Sequence, residues 1–297
     1  MQTELITSDL FNFRSSARWY SVLSCVQPID CWKARRLNSS GKRGIVFSLR
    51  DGFQDMALQV PCGKCVGCAA DKAREWSIRC YHESQLHDLN SFITLTYDDE
   101  HLPSDGLISK KHLQGFFKRL RHDCSFRYFA CAEYGDLSRR PHYHAIVFGQ
   151  DFRGGHVDLG GGLYTSPRLA KVWGNGVVSV GAVTPESIAY VCGYTAKKLG
   201  DPDTFTLMSR RPAIGSGWLD KYKDELRRNG QAIMNGHTYS VPKSYLIKEP
   251  EYFSQLKLDR ASFFKNISVD DRWLKRSQLP NLALNYGARN SLKSETI

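Results

Sequence analysis

The chain has 297 residues, of which 41% are apolar and 24% charged, the balance of a soluble globular protein with material for one large domain or two ordinary ones. Its 41 Lys and Arg exceed its 30 Asp and Glu, and the formal net charge of +11 favours a polyanionic partner. Without a run of about 18 apolar residues it offers no membrane-spanning helix. Met1 to Leu10, carrying Glu4 and Asp9, leads into no apolar segment of an export signal.

Residues 1–20 read as an irregular N-terminal extension. Residues 21–68 are rich in Gly, Cys and basic side chains, with a hairpin expected between Ile45–Leu49 and Met56–Val60 around the turn pair Asp51-Gly52. Cys62, Cys65 and Cys68 follow as two overlapping C-x2-C steps, with Pro61 before them and glycines between them. Three thiolates so close supply three corners of a tetrahedral zinc site, and Cys25, Cys31 or Cys80 can supply the fourth. An iron–sulfur cluster fits less well, because its fourth cysteine at short spacing before a proline is missing. The nine cysteines, odd in number and locally clustered, point to metal binding in a reducing compartment rather than to disulfides.

A helix is expected over 69–88, with Ala73, Trp76, Cys80 and Leu86 along one stripe. Ser91–Tyr97 reads as a strand, His112–His122 as a basic helix, and Phe126–Glu133 and Tyr143–Phe148 as two further strands. A glycine-rich loop covers 153–162, followed by a short helix near 167–173, a strand at 176–182 and a helix that Pro185 opens and that runs to Leu199. The pattern is that of an α+β fold, a sheet with helices packed on one face. It divides the chain into the extension (1–20), a cysteine-rich region with its helix (21–88), a core (89–200) and an accessory region (201–297).

Two elements of the core carry chemistry. His142 and His144 stand two apart on a strand, so their side chains share a face, while Tyr143, Ala145 and Val147 take the other. If the preceding strand pairs with this one, Glu133 lies across from His142 and completes a His-His-carboxylate set suited to Mg²⁺ or Mn²⁺. About 40 residues on, Tyr190 and Tyr194 are four apart on the helix and share one side, with Lys197 and Lys198 close behind. A phenol needs such help to act as a nucleophile, since its ordinary pKa is about 10. Ile188, Val191 and Leu199 can pack that helix without the tyrosines. Gly193 between them costs roughly 1 kcal/mol of helix propensity, and a close approach by the sheet or by DNA would account for it. Histidines for a metal and a pair of phenols suggest attack on a phosphodiester.

These residues resemble the HUH single-strand endonucleases that initiate rolling-circle replication, and in particular the replication initiators of microviruses of the gokushovirus branch. The likeness covers roughly residues 22–245. Phe92-Ile93-Thr94-Leu95-Thr96-Tyr97 resembles the first motif of that family, and Arg140-Pro141-His142-Tyr143-His144 the HUH motif, with Tyr143 in the hydrophobic position. Tyr190 to Lys198 resembles the two-tyrosine helix. The resemblance implies an antiparallel sheet flanked by helices. It implies a tyrosine that attacks the origin of a circular phage genome, leaving a 5′-phosphotyrosine link and a 3′-OH for the host polymerase, and a second tyrosine that releases a closed circle. Single-stranded DNA, the host helicase and polymerase, and the bacterial host cytoplasm are the implied partners and setting. Microviral initiators also carry a similar Cys-x-x-Pro, which favours Cys25 as the fourth cysteine ligand.

Arg139 and Arg140 beside the histidine strand, and Arg210 and Arg211 before Trp218, are candidate DNA contacts. Basic residues also surround Phe116 and Phe117, but those two rings fit a core better. Two other readings compete: a transposase or relaxase sharing the same site, and a zinc-stabilised DNA-binding or packaging protein without catalysis.

Overall fold

The computed structural model describes residues 25–135, 139–154, 157–197, 203–256 and 258. The chain forms two compact units, Trp19–Asp71 with Arg260–Ile297 and Met1–Arg18 with Lys72–Asp259.

In the smaller unit β1 (Ile29–Leu37), β2 (Arg43–Val46) and β3 (Gly52–Val60) make an antiparallel sheet in the order β2-β1-β3. The expected hairpin between the second and third strands does not form, because β1 lies between them. The tight turn is instead at Asn38, whose side-chain oxygen accepts from the backbone N–H groups of Ser40 and Lys42 at 3.1 and 2.9 Å. Short polar side chains close turns this way, and Gly41 supplies the positive φ of +72°. Trp32 therefore faces Val46 on one side and Ala57 on the other. After Pro61 the chain enters α1 (Val66–Ser84), which starts three residues before the expected 69 and ends four before 88.

The larger unit contains β4 (Asn90–Tyr97), α2 (Lys110–Asp123), β5 (Arg127–Tyr134), β6 (Pro141–Phe148), β7 (Asp158–Gly160), β8 (Leu163–Thr165), α3 (Pro167–Trp173), β9 (Gly176–Gly181), α4 (Pro185–Lys197) and β10 (Phe205–Met208). Its seven strands run β10-β5-β6-β4-β9-β8-β7, every described pairing antiparallel. The glycine-rich stretch contributes β7, and the segment after residue 200 contributes β10 to the sheet edge. The same segment continues through α5 (Ser216–Asn229), the hairpin of β11 (Gln231–Met234) with β12 (His237–Ser240), and α6 (Lys243–Lys248).

Alternation along each strand sorts side chains onto two apolar layers. Ile93, Leu95, Ala130, Tyr143, Ala145 and Val147 face α2 and α3. On α2 the residues that meet them, Leu113, Phe116, Phe117 and Leu120, recur at helical spacing and are fully buried. Side chains of that size each contribute about 1.5–3 kcal/mol on burial. Ser109 caps α2 by accepting from the His112 N–H, and Ser166 caps α3 ahead of Pro167.

The opposite layer corrects the expectation of helices on one face. Phe129, Cys131, Ile146 and Phe148 pack there against Ile188, Val191 and Cys192 of α4 and Cys80 of α1. Ala73 is buried and Trp76 partly so, as the stripe on that helix required. The sheet is thus sandwiched, and the polar ends of β5 and β6 on the α4 side are where its chemistry lies.

Candidate active site and cysteine cluster

The hairpin of β5 and β6 sets Glu133 directly opposite His142 and Cys131 opposite His144. A pleated strand then sends Glu133, His142 and His144 to the α4 side. The two imidazoles lie nearly parallel, 13° between planes and 6.5 Å between centroids. His142 Nδ1 sits 2.6 Å from the carbonyl oxygen of Arg140, and His144 Nε2 sits 2.9 Å from Glu133 Oε1. Gly135 makes room for this arrangement, since a Cβ there would come within 3.0 Å of the His142 ring.

Tyr143, between the histidines, points the other way and holds the strand in place. Its hydroxyl accepts from the Ser109 N–H at 2.9 Å and lies 2.8 Å from the Tyr97 hydroxyl. Burial raises both phenols, so they serve as neutral hydrogen-bonding groups.

On α4, Ile188, Val191 and Cys192 anchor the helix, which turns Tyr190 and Tyr194 towards His144. The Tyr190 ring meets the imidazole edge-on at 5.2 Å, and the Tyr194 ring lies parallel to it at 5.7 Å. The two phenol rings are 5.0 Å apart. They differ in access: Tyr190 is 39% exposed and Tyr194 only 7%. Burial first, then the nearby Tyr190 and Glu133, hold the Tyr194 phenol well above its ordinary pKa. Gly193 has open space where a Cβ would go, so the sheet does not crowd it, contrary to one explanation of its presence. Lys197 closes α4; Lys198 and Leu199 lie outside the described residues.

Two residues of β4 that the sequence alone did not single out complete the surroundings. Phe92 lies parallel to the His144 ring at 5.9 Å and edge-on to Tyr190 at 6.2 Å. Thr94 Oγ1 is 3.0 Å from His144 Nδ1. Both sit at alternate positions of the strand paired with β6, a signal available only once the register Thr94↔His144 is known.

Two imidazole nitrogens and a carboxylate on one face are a donor set that suits a divalent ion such as Mg²⁺ or Mn²⁺. In the described geometry the Glu133 carboxylate is engaged by His144, so taking up an ion exchanges that hydrogen bond for coordination.

The candidate DNA contacts differ in their surroundings. The Arg139 guanidinium lies over the Tyr134 ring at 4.6 Å. Arg140 donates to the Tyr97 carbonyl at 2.8 Å and pairs with Asp99, which ties the strand end to β4. Arg210 and Arg211 are exposed, but Trp218 is buried and stacks on His82 at 3.6 Å, so its ring is not free to receive a base.

In the smaller unit the sulfurs of Cys25, Cys62, Cys65 and Cys68 all lie within 4.8 Å of one another, the only such group of potential ligands among the described residues. The backbone supports them: the N–H of Cys62 donates to the Cys25 sulfur at 3.2 Å and that of Cys65 to the Cys62 sulfur at 3.3 Å. Burial alone would raise the Cys62 thiol, but N–H groups of Lys64 and Cys65 and the neighbouring thiols bring it down to about 7. The rivals for the fourth position are placed elsewhere. Cys31 donates to the Leu58 carbonyl at 3.3 Å, and Cys80 sits 3.8 Å from Cys192 in the core beneath α4. Four sulfurs so arranged can bind a metal such as zinc.

A family model described as replication-associated protein, of the ORF2 type, matches residues 90–199, the span from β4 through α4. Replication-associated protein VP4 of Bdellovibrio phage phiMH2K is 35% identical over 92% of this chain and 94% of its own length. The chain belongs to the microvirus-type replication initiators. Replication-associated protein ORF2 of Spiroplasma virus 4 is 38% identical over 66% of this initiator and 67% of its own length. Replication-associated protein ORF4 of Chlamydia phage 1 is 29% identical over 66% of this chain and 55% of its own. No solved structure matches this initiator. No described helix of it is long and apolar enough to cross a membrane.

Proposed function

We propose that this initiator is a tyrosine-dependent, metal-assisted DNA strand transferase that nicks and rejoins single-stranded phage DNA at its origin. The observation that carries the reading is the convergence of Tyr190 and Tyr194 on His144, with Glu133 opposite His142 on the same face. A phenol oxygen attacks the origin phosphorus; the P–O bond to the upstream sugar breaks, giving a 5′-phosphotyrosine and a free 3′-OH. The phenolic proton is lost and the departing sugar oxygen gains one, so the transfer is proton-neutral and reversible. Mg²⁺ or Mn²⁺ held by His142, His144 and Glu133 would supply stabilisation of charge on the phosphoryl oxygens. Lys197 and Lys198 add positive charge at the end of the tyrosine helix. Arg139, Arg140, Arg210 and Arg211 contribute to the path of the DNA, Arg140 mainly by positioning.

Exposure supports an order of action. Tyr190 is reachable by a phosphate, whereas Tyr194 is buried and its proton firmly held. Tyr190 therefore makes the first nick, and Tyr194 acts when the origin is regenerated, releasing a closed circle. The cysteine cluster holds zinc as a structural staple. The host polymerase and helicase extend and unwind from the nick in the bacterial cytoplasm.

The test is a denaturing gel for a covalent protein–DNA adduct on single-stranded phage DNA with Mn²⁺. The adduct should persist in Tyr194→Phe, vanish in Tyr190→Phe, and require the ion. Undiminished adduct in Tyr190→Phe would reverse the order, and adduct in the double variant would remove the tyrosines from the chemistry. Binding with no adduct from any form would leave a DNA-binding protein.

A further inference from the structure

The two histidines of β6 are held in opposite ways at their ring nitrogens. A neutral imidazole carries one N–H and one lone pair, so the partner at one nitrogen dictates the other. At His142 the partner of Nδ1 is the Arg140 carbonyl oxygen, which only accepts. The proton is therefore on Nδ1, and Nε2 keeps the lone pair that a metal needs. At His144 the carboxylate oxygen of Glu133 faces Nε2 and likewise only accepts. Here the proton is on Nε2, the nitrogen that faces the ligand set, and the Nδ1 lone pair accepts from the Thr94 hydroxyl. His142 is pre-set for coordination and His144 is not.

We infer that Thr94 is a positioning residue whose hydroxyl lets His144 exchange its Nε2–H form for the Nδ1–H form when an ion enters the site. A hydroxyl both donates and accepts, so it suits either form of the ring. Before the exchange Oγ1 donates to Nδ1; afterwards Nδ1–H donates to Oγ1 and the Nε2 lone pair is free. The exchange is neutral: one proton leaves Nε2 through solvent, one arrives at Nδ1, and Glu133 passes from the histidine to the ion. The ring stays where it is, with Phe92 and Tyr194 lying parallel to it at 5.9 and 5.7 Å. His144 is buried, so a nitrogen without a partner would be costly, and the Thr94↔His144 pairing of β4 with β6 fixes the hydroxyl at the one place that avoids it. This inference rests on the metal-dependent reading of the site.

The test follows protons directly in the full-length protein. With ¹⁵N-labelled histidines, long-range ¹H–¹⁵N correlations report which nitrogen is protonated, and Mg²⁺ serves as the diamagnetic ion. Metal-free wild type should show His142 as Nδ1–H and His144 as Nε2–H; saturating Mg²⁺ should leave the first unchanged and convert the second to Nδ1–H. In Thr94→Val the conversion should fail, and Mn²⁺ affinity followed by electron paramagnetic resonance should weaken on the order of 10–100-fold, the scale for lost support of a metal ligand. Thr94→Ser should restore both. His144 already Nδ1–H without metal, or Mg²⁺ bound with His144 unchanged, would overturn the inference alone. Thr94→Val binding Mn²⁺ as wild type does would have the same consequence. No perturbation of either histidine in the wild type would remove the metal site and this inference with it.

Discussion

His82 offers a prediction whose size follows from its surroundings. Its ring is fully buried on α1, stacked on Trp218 at 3.6 Å and 8°, with Nδ1 3.0 Å from the Tyr245 hydroxyl. Nothing among its described neighbours compensates a positive charge, Nε2 is buried without a partner, and burial lowers its pKa to about 3 from 6.5. A histidine depressed in the folded state stabilises above its unfolded pKa, and that stability is lost as pH falls towards the folded value. Here the window runs from about pH 6.5 down to about 3. At roughly 1.4 kcal/mol per unit, about 2 kcal/mol is lost between pH 7 and 5. For a unit of this size that corresponds to a fall in Tm of about 4–8 °C. His82→Phe keeps the stacked ring and cannot titrate; it forfeits only the Tyr245 hydrogen bond, on the order of 1 kcal/mol at pH 7. Urea unfolding at the two pH values should show the wild type losing about 2 kcal/mol more than the variant, since other titrating groups, the cysteine cluster included, are common to both. Equal losses, or a His82 resonance titrating near 6.5, would refute the reasoning.

Cys25→Ser should weaken zinc binding by a factor of about 100 or more, one ligand's share of the ~10–16 kcal/mol that four-ligand structural sites provide. Competition with a chromophoric chelator measures it, and the same substitution at Cys31, which hydrogen-bonds within the sheet instead, should leave the affinity unchanged. Gly176 has φ +139°, and a Cβ there would collide with the backbone of Thr96, Tyr97 and Asp98 on β4. Gly176→Ala should therefore cost about 3 kcal/mol or more in chemical denaturation, since neither strand can move away without breaking the β4–β9 ladder. Phe117→Ala should cost about 3–5 kcal/mol, because the ring is fully buried and stacks on Tyr128 at 3.8 Å; a surface role for it would predict almost no change.

How much of this was legible depends on the distance over which each feature is decided. The two histidines and the buried Tyr143 follow from a strand's two-residue period, which the sequence displays openly. Glu133 opposite His142 was equally readable, because a short connection between adjacent antiparallel strands leaves few registers. The four-residue spacing of Tyr190 and Tyr194, with Ile188 and Val191 on another side, likewise needs only helical geometry. The smaller unit was misread for a local reason: Asp51-Gly52 is a strong turn signal, but Asn38 with Gly41 is the turn that folds one strand back on its neighbour. β1 escaped notice because Lys33, Arg35 and Arg36 interrupt any apolar alternation, in a strand with most of its side chains at least partly exposed. Helices on both faces of the sheet could not be seen, since which layer a helix covers is set by tertiary packing rather than by its own stripe.

Thr94 marks the sharper boundary. Within its own strand it is an ordinary β-branched residue, and its spacing from Phe92 and Thr96 says only that the three share a face. Its role arises because β6, some 50 residues later, lies beside β4 in a register that puts Thr94 across from His144. Shifting that register by one residue would turn the hydroxyl to the opposite face and bring Ile93 or Leu95 against the imidazole, leaving a buried nitrogen unpaired. The aromatic packing of Tyr97 with Tyr143 and Trp173 beneath the sheet opposes such a slip, with ring separations of 5.3 to 5.9 Å. The core face of β4 thus fixes the chemistry on the other: the residues that stabilise the fold also select which hydroxyl meets His144.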